Sequence, residues 1–100
     1  MVLFEWDESK AESNRRKHGV RFEFAVLVFD DPYAVAEQDR TVGGERRWQT
    51  IGMADGIVVL LVGHTVLEEG ENEIIRIITA RKATRKERQR YDENRKKNSG

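Results

Sequence analysis

Hydrophobic and polar positions along this chain follow two different periods. Phe22, Ala25, Val26 and Phe29 recur at i, i+3, i+4 and i+7, which predicts a helix with one apolar face. Beyond Pro32 the spacing changes to runs rich in β-branched residues, bounded by turn residues, and these predict strands. Tyr33–Glu37 is one, and Arg46–Met53 is a second that ends at the turn signal Asp55-Gly56. Ile57–Val66 is a third, and its continuous apolar run suggests a central strand buried on both faces. Glu68–Asn72 reads as a polar hairpin loop, and Glu73–Ala80 as the fourth strand.

Before the first helical face, Val2–Trp6 predicts a short strand. Asp7 or Ser9 can cap a following helix, and Ser9-Lys10-Ala11-Glu12 fits a capping box. That helix should end at Gly19, with Arg15, Arg16, Lys17 and His18 in its last turn, where cations complement the helix dipole. Asp30-Asp31-Pro32 stops the second helix, because proline disfavours helical geometry in the residue before it. Thr84-Arg85-Lys86-Glu87 is another capping box and opens a final helix. That helix is almost without apolar residues, and Tyr91 is its main anchor.

The predicted order is strand, helix, helix, four strands, helix. Short loops between consecutive strands favour an antiparallel meander. The expected fold class is therefore α+β, with two N-terminal helices and a basic C-terminal helix packed on a small antiparallel sheet. One hundred residues suit a single domain, placed at residues 1–93, with residues 94–100 as a polar, frayed tail.

Charge changes the picture. Formal net charge is zero, but residues 76–100 hold ten bases against three acids, a net +7, so residues 1–75 carry −7. A basic end suggests a polyanionic partner, and the acidic remainder argues against indiscriminate adhesion. Cysteine is absent, which excludes a disulfide framework, a thiolate nucleophile and Cys-ligated zinc, and suits a cytoplasmic location. The longest apolar run, Ile57–Val62, is too short to cross a bilayer, and the N-terminus lacks the pattern of a signal peptide. Two histidines far apart leave no metal-ligand spacing, and Gly43-Gly44 reads as a turn rather than a phosphate-binding loop. No metal or other cofactor is expected.

Several segments, in order, resemble one known family. Phe4-Glu5-Trp6-Asp7 opens the series. Asn14 leads to Lys17-His18-Gly19-Val20 and Phe22, and Phe29-Asp30-Asp31-Pro32 closes the second helix. Trp48-Gln49-Thr50-Ile51-Gly52 precedes Val62-Gly63-His64-Thr65. Arg76-Ile77-Ile78-Thr79-Ala80-Arg81-Lys82-Ala83-Thr84 then runs on through Glu87-Arg88 to Tyr91. Over roughly residues 4–91 the chain resembles the BrnT toxins of BrnT–BrnA toxin–antitoxin pairs. The resemblance implies a RelE-like fold, ribonuclease activity and a BrnA-like antitoxin with a ribbon-helix-helix DNA-binding part. It also implies contact with operator DNA only through that antitoxin, and it allows an oligomeric toxin–antitoxin complex. The chain departs from the pattern at Arg21 and Phe24, where a capping Ser and a Glu are expected, and at Gly63, where a β-branched residue is usual. The first departure should weaken the second helix's cap, and the second should bend the central strand beside His64.

Metal-independent RNA cleavage uses the RNA's own 2′-OH as nucleophile. It needs proton carriers and cations around the phosphorus. His64, at the end of the apolar strand, is either an acid or base or a histidine satisfied by a carbonyl. His18 is explained as a C-terminal helix cation, with RNA contact as the alternative. Arg76 lies among isoleucines and needs a partner such as Glu5 or Glu45, or a phosphate. Arg81 is the other candidate stabiliser; simple alternation puts Lys82 on the face of Arg76 and Arg81 on the opposite face. The expected catalytic set is His64, Arg76 and Arg81. Lys17, His18, Trp48, Lys82, Arg85 and Arg88 are expected to contact RNA. Trp48, like Trp6, also fits a core position, and the basic helix also fits a solvated face or an antitoxin contact. A binding module without catalysis is the alternative function.

Overall fold

The computed structural model describes residues 1–98. Five strands form one sheet: β1 (Val2–Glu5), β2 (Val35–Val42), β3 (Glu45–Ala54), β4 (Val58–Glu69) and β5 (Asn72–Lys82). Helices α1 (Glu8–His18) and α2 (Phe22–Ala25), the latter running into a 3₁₀ segment at Val26–Asp30, connect β1 to β2. Helix α3 (Arg85–Asn98) follows β5. The expected tail is therefore helical through Asn98, and Asn94 Nδ2 donates to the Tyr33 carbonyl at 3.0 Å. Ser99 and Gly100 lie outside the described residues.

Strand order is β1-β5-β4-β3-β2. The meander β2–β5 is antiparallel as expected, but β1 runs parallel to β5, so the sheet is mixed. The intervening helices carry the chain from β1 to the opposite edge of the sheet, and β1 then borders the last strand rather than the next one. Central β4 is buried at Val59, Leu60, Leu61 and Val62, as its continuous apolar run implies. One core cluster joins Leu60, Val62, Ile75, Ile77 and Ala80 to Phe22, Ala25 and Val28. A smaller one, Ile51, Val59, Leu61 and Ala83, is closed by Tyr91 of α3.

Local chemistry explains each end. Asp7, rather than Ser9, caps α1: its Oδ1 accepts from the Ser9 and Lys10 amides at 2.8 and 3.1 Å. Gly19, at φ 70°, closes the helix in the left-handed region. Arg21 stands at the cap of α2 without a side-chain bond, and α2 lasts only four residues. The 3₁₀ winding that follows has about three residues per turn. Every third residue therefore points inward: Phe22, Ala25 and Val28 are fully buried, while Val26 and Phe29 are only partly so.

The β2–β3 and β4–β5 hairpins close on two-residue turns, and β3–β4 on the three residues Asp55, Gly56 and Ile57. Gly43, Gly44, Asp55, Gly56 and Gly70 supply the positive φ these turns need. Strands β4 and β5 extend past their expected ends almost to Gly70, so Glu68–Asn72 is strand and tight turn rather than an open loop.

A β-bulge interrupts the β4–β5 ladder at Gly63. Gly63 pairs with Thr79 but His64 pairs with Ile77, leaving Ile78 as the extra residue. The bulge shifts the phase of β5: Ile75 and Ile77 enter the main core before it, and Ala80 after it. Arg76 and Arg81, cross-strand partners of Thr65 and Leu61, consequently share the opposite face, and Lys82 opposes Leu60. Simple alternation put Lys82 with Arg76 and failed because it did not count the extra residue.

Candidate functional site

The bulge, together with an irregularity in β2 between Gln38 and Thr41, shapes a hollow of about 190 Å³. Arg40, Arg47, Trp48, Gly63, His64 and Thr79 are among its lining residues. Trp48 also borders a second hollow of about 540 Å³, where Arg46, Arg76, Thr65, Ile74 and Leu67 lie with Glu5 and Glu45. Gly63 keeps the first hollow open. A side chain there would come within 2.7 Å of Thr79 Cγ2, so no β-branched residue fits without movement.

His64 is only 4% exposed. Its Nε2 lies 2.7 Å from Thr50 Oγ1, its Nδ1 lies 3.4 Å from the Thr65 carbonyl, and its ring meets Phe29 edge-on at 4.9 Å. A consistent arrangement has Nδ1–H donating to the carbonyl while Thr50 donates to Nε2. Burial holds the imidazole below its ordinary value of 6.5, against the weaker opposing pull of the Thr65 carbonyl, so the ring is neutral near pH 7.

Arg47 was not singled out by sequence. It follows Arg46 at the start of β3 and precedes Trp48, a basic–aromatic triplet on an exposed hairpin. Its Nε is out of contact with water and has no hydrogen-bond acceptor, while Nη2 stands 3.7 Å from Glu45 Oε1. A buried N–H left without an acceptor costs about 1–3 kcal/mol, so this guanidinium is under-satisfied.

Arg76 also lines the second hollow, 3.7 Å from Glu5, the partner anticipated for it. Arg81 is placed elsewhere. Nη1 and Nη2 donate to the two carboxylate oxygens of Glu87 at 2.8 and 3.0 Å. Glu87 in turn accepts from the Thr84 amide at 2.8 Å, completing the predicted capping box. Hydrogen bonding from Arg81 holds the Glu87 carboxyl below its ordinary value. Arg81 therefore fastens the first turn of α3.

Lys17 and His18 end α1, and Lys82, Arg85 and Arg88 lie at or beyond the end of β5; none lines either hollow. Arg88 donates to the Ala83 carbonyl at 3.3 Å, and Arg85 is exposed. Trp6 packs against the main core, with Phe22 edge-on at 6.0 Å, whereas Trp48 belongs to neither core cluster. A third hollow, about 410 Å³ beneath α3, is lined by Asp30, Asp31 and Asp55 beside Tyr91 and Arg95. Those carboxylates would repel an RNA backbone. Among the described residues no group of three or more His, Cys, Asp or Glu side chains is placed to hold a metal. No described helix is long and apolar enough to cross a membrane.

Fold and site define a small α+β protein whose mixed sheet carries a cleft lined by Arg40, Arg47, Trp48 and His64 together with Asp39. Residues 6–87 match the family model of the ribonuclease toxin BrnT of type II toxin–antitoxin systems. The chain belongs to the BrnT family, whose class implies an RNA substrate and an antitoxin partner. It is also similar to the 1.1 Å crystal structure of the Brucella abortus ribonuclease toxin BrnT, with 26% identity and a TM-score of 0.52. That match covers 85% of this chain and 99% of the Brucella chain. No curated protein sequence matches this one.

Proposed function

We propose that this protein is a metal-independent endoribonuclease toxin, acting on cytoplasmic RNA at the hollow beside the β4–β5 bulge. The observation that carries this reading is the meeting of His64, Trp48 and arginine side chains around one cleft. A base stacks on Trp48, and the arginines offset charge as the 2′-oxygen attacks phosphorus. His64, neutral near pH 7, carries the proton from the 2′-OH. Arg76 supplies charge from the adjoining hollow, and Arg81 acts by holding α3 in place. The imidazolium so formed returns that proton to the 5′-oxygen as its bond to phosphorus breaks, giving a 2′,3′-cyclic phosphate and a 5′-hydroxyl fragment. A BrnA-like antitoxin with a ribbon-helix-helix part neutralises the toxin and supplies its only link to operator DNA.

The packing of His64 favours a second reading of that residue. Both ring nitrogens already have partners, and on this reading His64 frames the bulge while arginine electrostatics alone carry the reaction. Incubation of the protein with a defined RNA in excess EDTA tests the reaction, and His64→Gln tests the histidine. The parent should cleave and leave cyclic phosphate ends. If His64 is the base, kcat/KM should fall on the acid side with a midpoint below 6.5, and that limb should vanish in the variant. A folded variant with an unchanged rate and pH profile assigns His64 to structure. Products with 5′-phosphates would refute the transesterification, and no cleavage by well-folded parent would favour the binding module.

A further inference from the structure

We propose that Arg47 is the residue that grips an RNA phosphate in the smaller hollow, a role the expected set gave to Arg76 and Arg81. The inference rests on the ribonuclease reading for the identity of the anion. Three observations support it. Arg47 Nε lacks an acceptor, and among the described residues the one carboxylate within 4 Å of the head group, Glu45, stands at 3.7 Å, beyond hydrogen-bond reach. Arg47 also borders the same hollow as Trp48 and His64, so a phosphate held there leaves the neighbouring base beside an indole. Arg81, by contrast, spends both Nη groups on Glu87.

Chemistry favours a phosphodiester over a carboxylate ligand in this setting. An arginine offers Nε and one Nη as a side-on fork, which matches two oxygens of a phosphate. A turn of the guanidinium away from Glu45 uncovers Nε, the phosphate then supplies the acceptor it lacks, and Arg40 on the facing strand adds a second positive charge at the hollow. Asp39 also lines the hollow; its Oδ2 accepts from Gln49 Nε2 at 3.3 Å. Glu45, released from its long pairing, is exposed and free to turn to solvent.

Binding of a 2′-O-methyl RNA oligonucleotide tests the role without any cleavage, because its 2′-oxygens cannot attack. Fluorescence anisotropy would give Kd for the parent, Arg47→Ala, Arg47→Gln, Arg47→Lys and Arg81→Ala, with melting curves to confirm folding. Arg47→Ala and Arg47→Gln should weaken binding about tenfold or more, the loss expected for a charge-assisted pair. Arg47→Lys should fall between, since it keeps the charge but not the fork. Arg81→Ala should bind within about twofold of the parent while melting at lower temperature. If the folded Arg47→Gln protein binds like the parent, or the parent does not bind the oligonucleotide, Arg47 is not the phosphate residue. If Arg47 proves necessary for binding but the parent fails to cut unmodified RNA, the phosphate site stands and the ribonuclease reading falls.

Discussion

Asn14 shows how one side chain can stand in for a strand. Strand β1 stops opposite Arg76, leaving the outer edge of β5 open at Ala80. Asn14 fills the gap: Nδ2 donates to the Ala80 carbonyl at 2.9 Å and Oδ1 accepts from the Ala80 amide at 3.1 Å. Nδ2 also donates to the Val20 carbonyl at 2.9 Å, tying α1's exit to the sheet. Asn14→Ala strands the Ala80 groups without partners and should cost about 2–3 kcal/mol. Urea denaturation of the two proteins checks this; a loss below half a kcal/mol would mean that water replaces the amide. At Gly63 the limiting group is Thr79 Cγ2 rather than backbone geometry. Gly63→Val should therefore destabilise by about 1–3 kcal/mol through overpacking, and Thr79→Ser, which removes only that methyl, should recover part of the loss. Absence of any recovery in the double variant would place the strain elsewhere.

At the scale of elements, α3 depends on a few polar anchors. Tyr91 donates to Asp31 Oδ2 at 2.6 Å, and Asp31 also accepts from the Met53 and Tyr33 amides at 2.7 and 2.9 Å. Arg90 pairs with Glu37 across to β2. Burial acts to raise the Asp31 carboxyl, but the bonds from Tyr91, Met53 and Tyr33, together with the Arg95 charge, outweigh it and leave the group below its ordinary 3.8. Burial, then the bond to Asp31, pushes the Tyr91 phenol from 10.0 up to about 12. Two pH limits follow. The Asp31 contribution is complete above 3.8 and is lost as pH falls through the lower folded value. The Tyr91 contribution is complete below 10.0 and is lost as pH rises towards 12. Tyr91→Phe should lower stability by about 1–2 kcal/mol at neutral pH, and the gap to the parent should shrink beyond either limit. An equal gap at every pH would show that ring packing, not the hydroxyl, is what holds α3.

Across the whole molecule, charge is divided between a body of net −7 and a C-terminal quarter of net +7. Arg85 and Lys86 sit exposed in the first turn of α3, outside both hollows. Such cations attract an RNA backbone without selecting a sequence. Replacing both with Gln should flatten the dependence of log Kd on log salt by about 0.7 per charge removed, while cleavage at saturating RNA stays unchanged. A lower saturated rate in that variant would place α3 in the reaction itself. The apolar character of β4, the turns at Gly43-Gly44 and Asp55-Gly56, the Thr84–Glu87 capping box and the role of Tyr91 as anchor were all legible from residue type, whereas the box expected at Ser9–Glu12 gave way to a cap by Asp7. The direction of β1, the 3₁₀ winding after Ala25 and the extra residue in β5 were not. Each depends on a contact with a segment far along the chain.

The sequence by itself determined the element order, the α+β class, the family resemblance and the segregation of charge. Element order, class and charge follow from local composition and short-range periodicity, and the resemblance from an ordered set of short motifs between Phe4 and Tyr91. Tertiary structure decided which cations share a site. A single bulged residue at Ile78 moved Arg81 to the face of Arg76, and Glu87 then occupied its guanidinium. Hairpin geometry brought Arg47 to Trp48 and His64 while leaving its Nε without an acceptor. Whether an arginine is satisfied depends on which acceptors lie within about 3 Å once the strands are in register, and strand periodicity does not encode that distance.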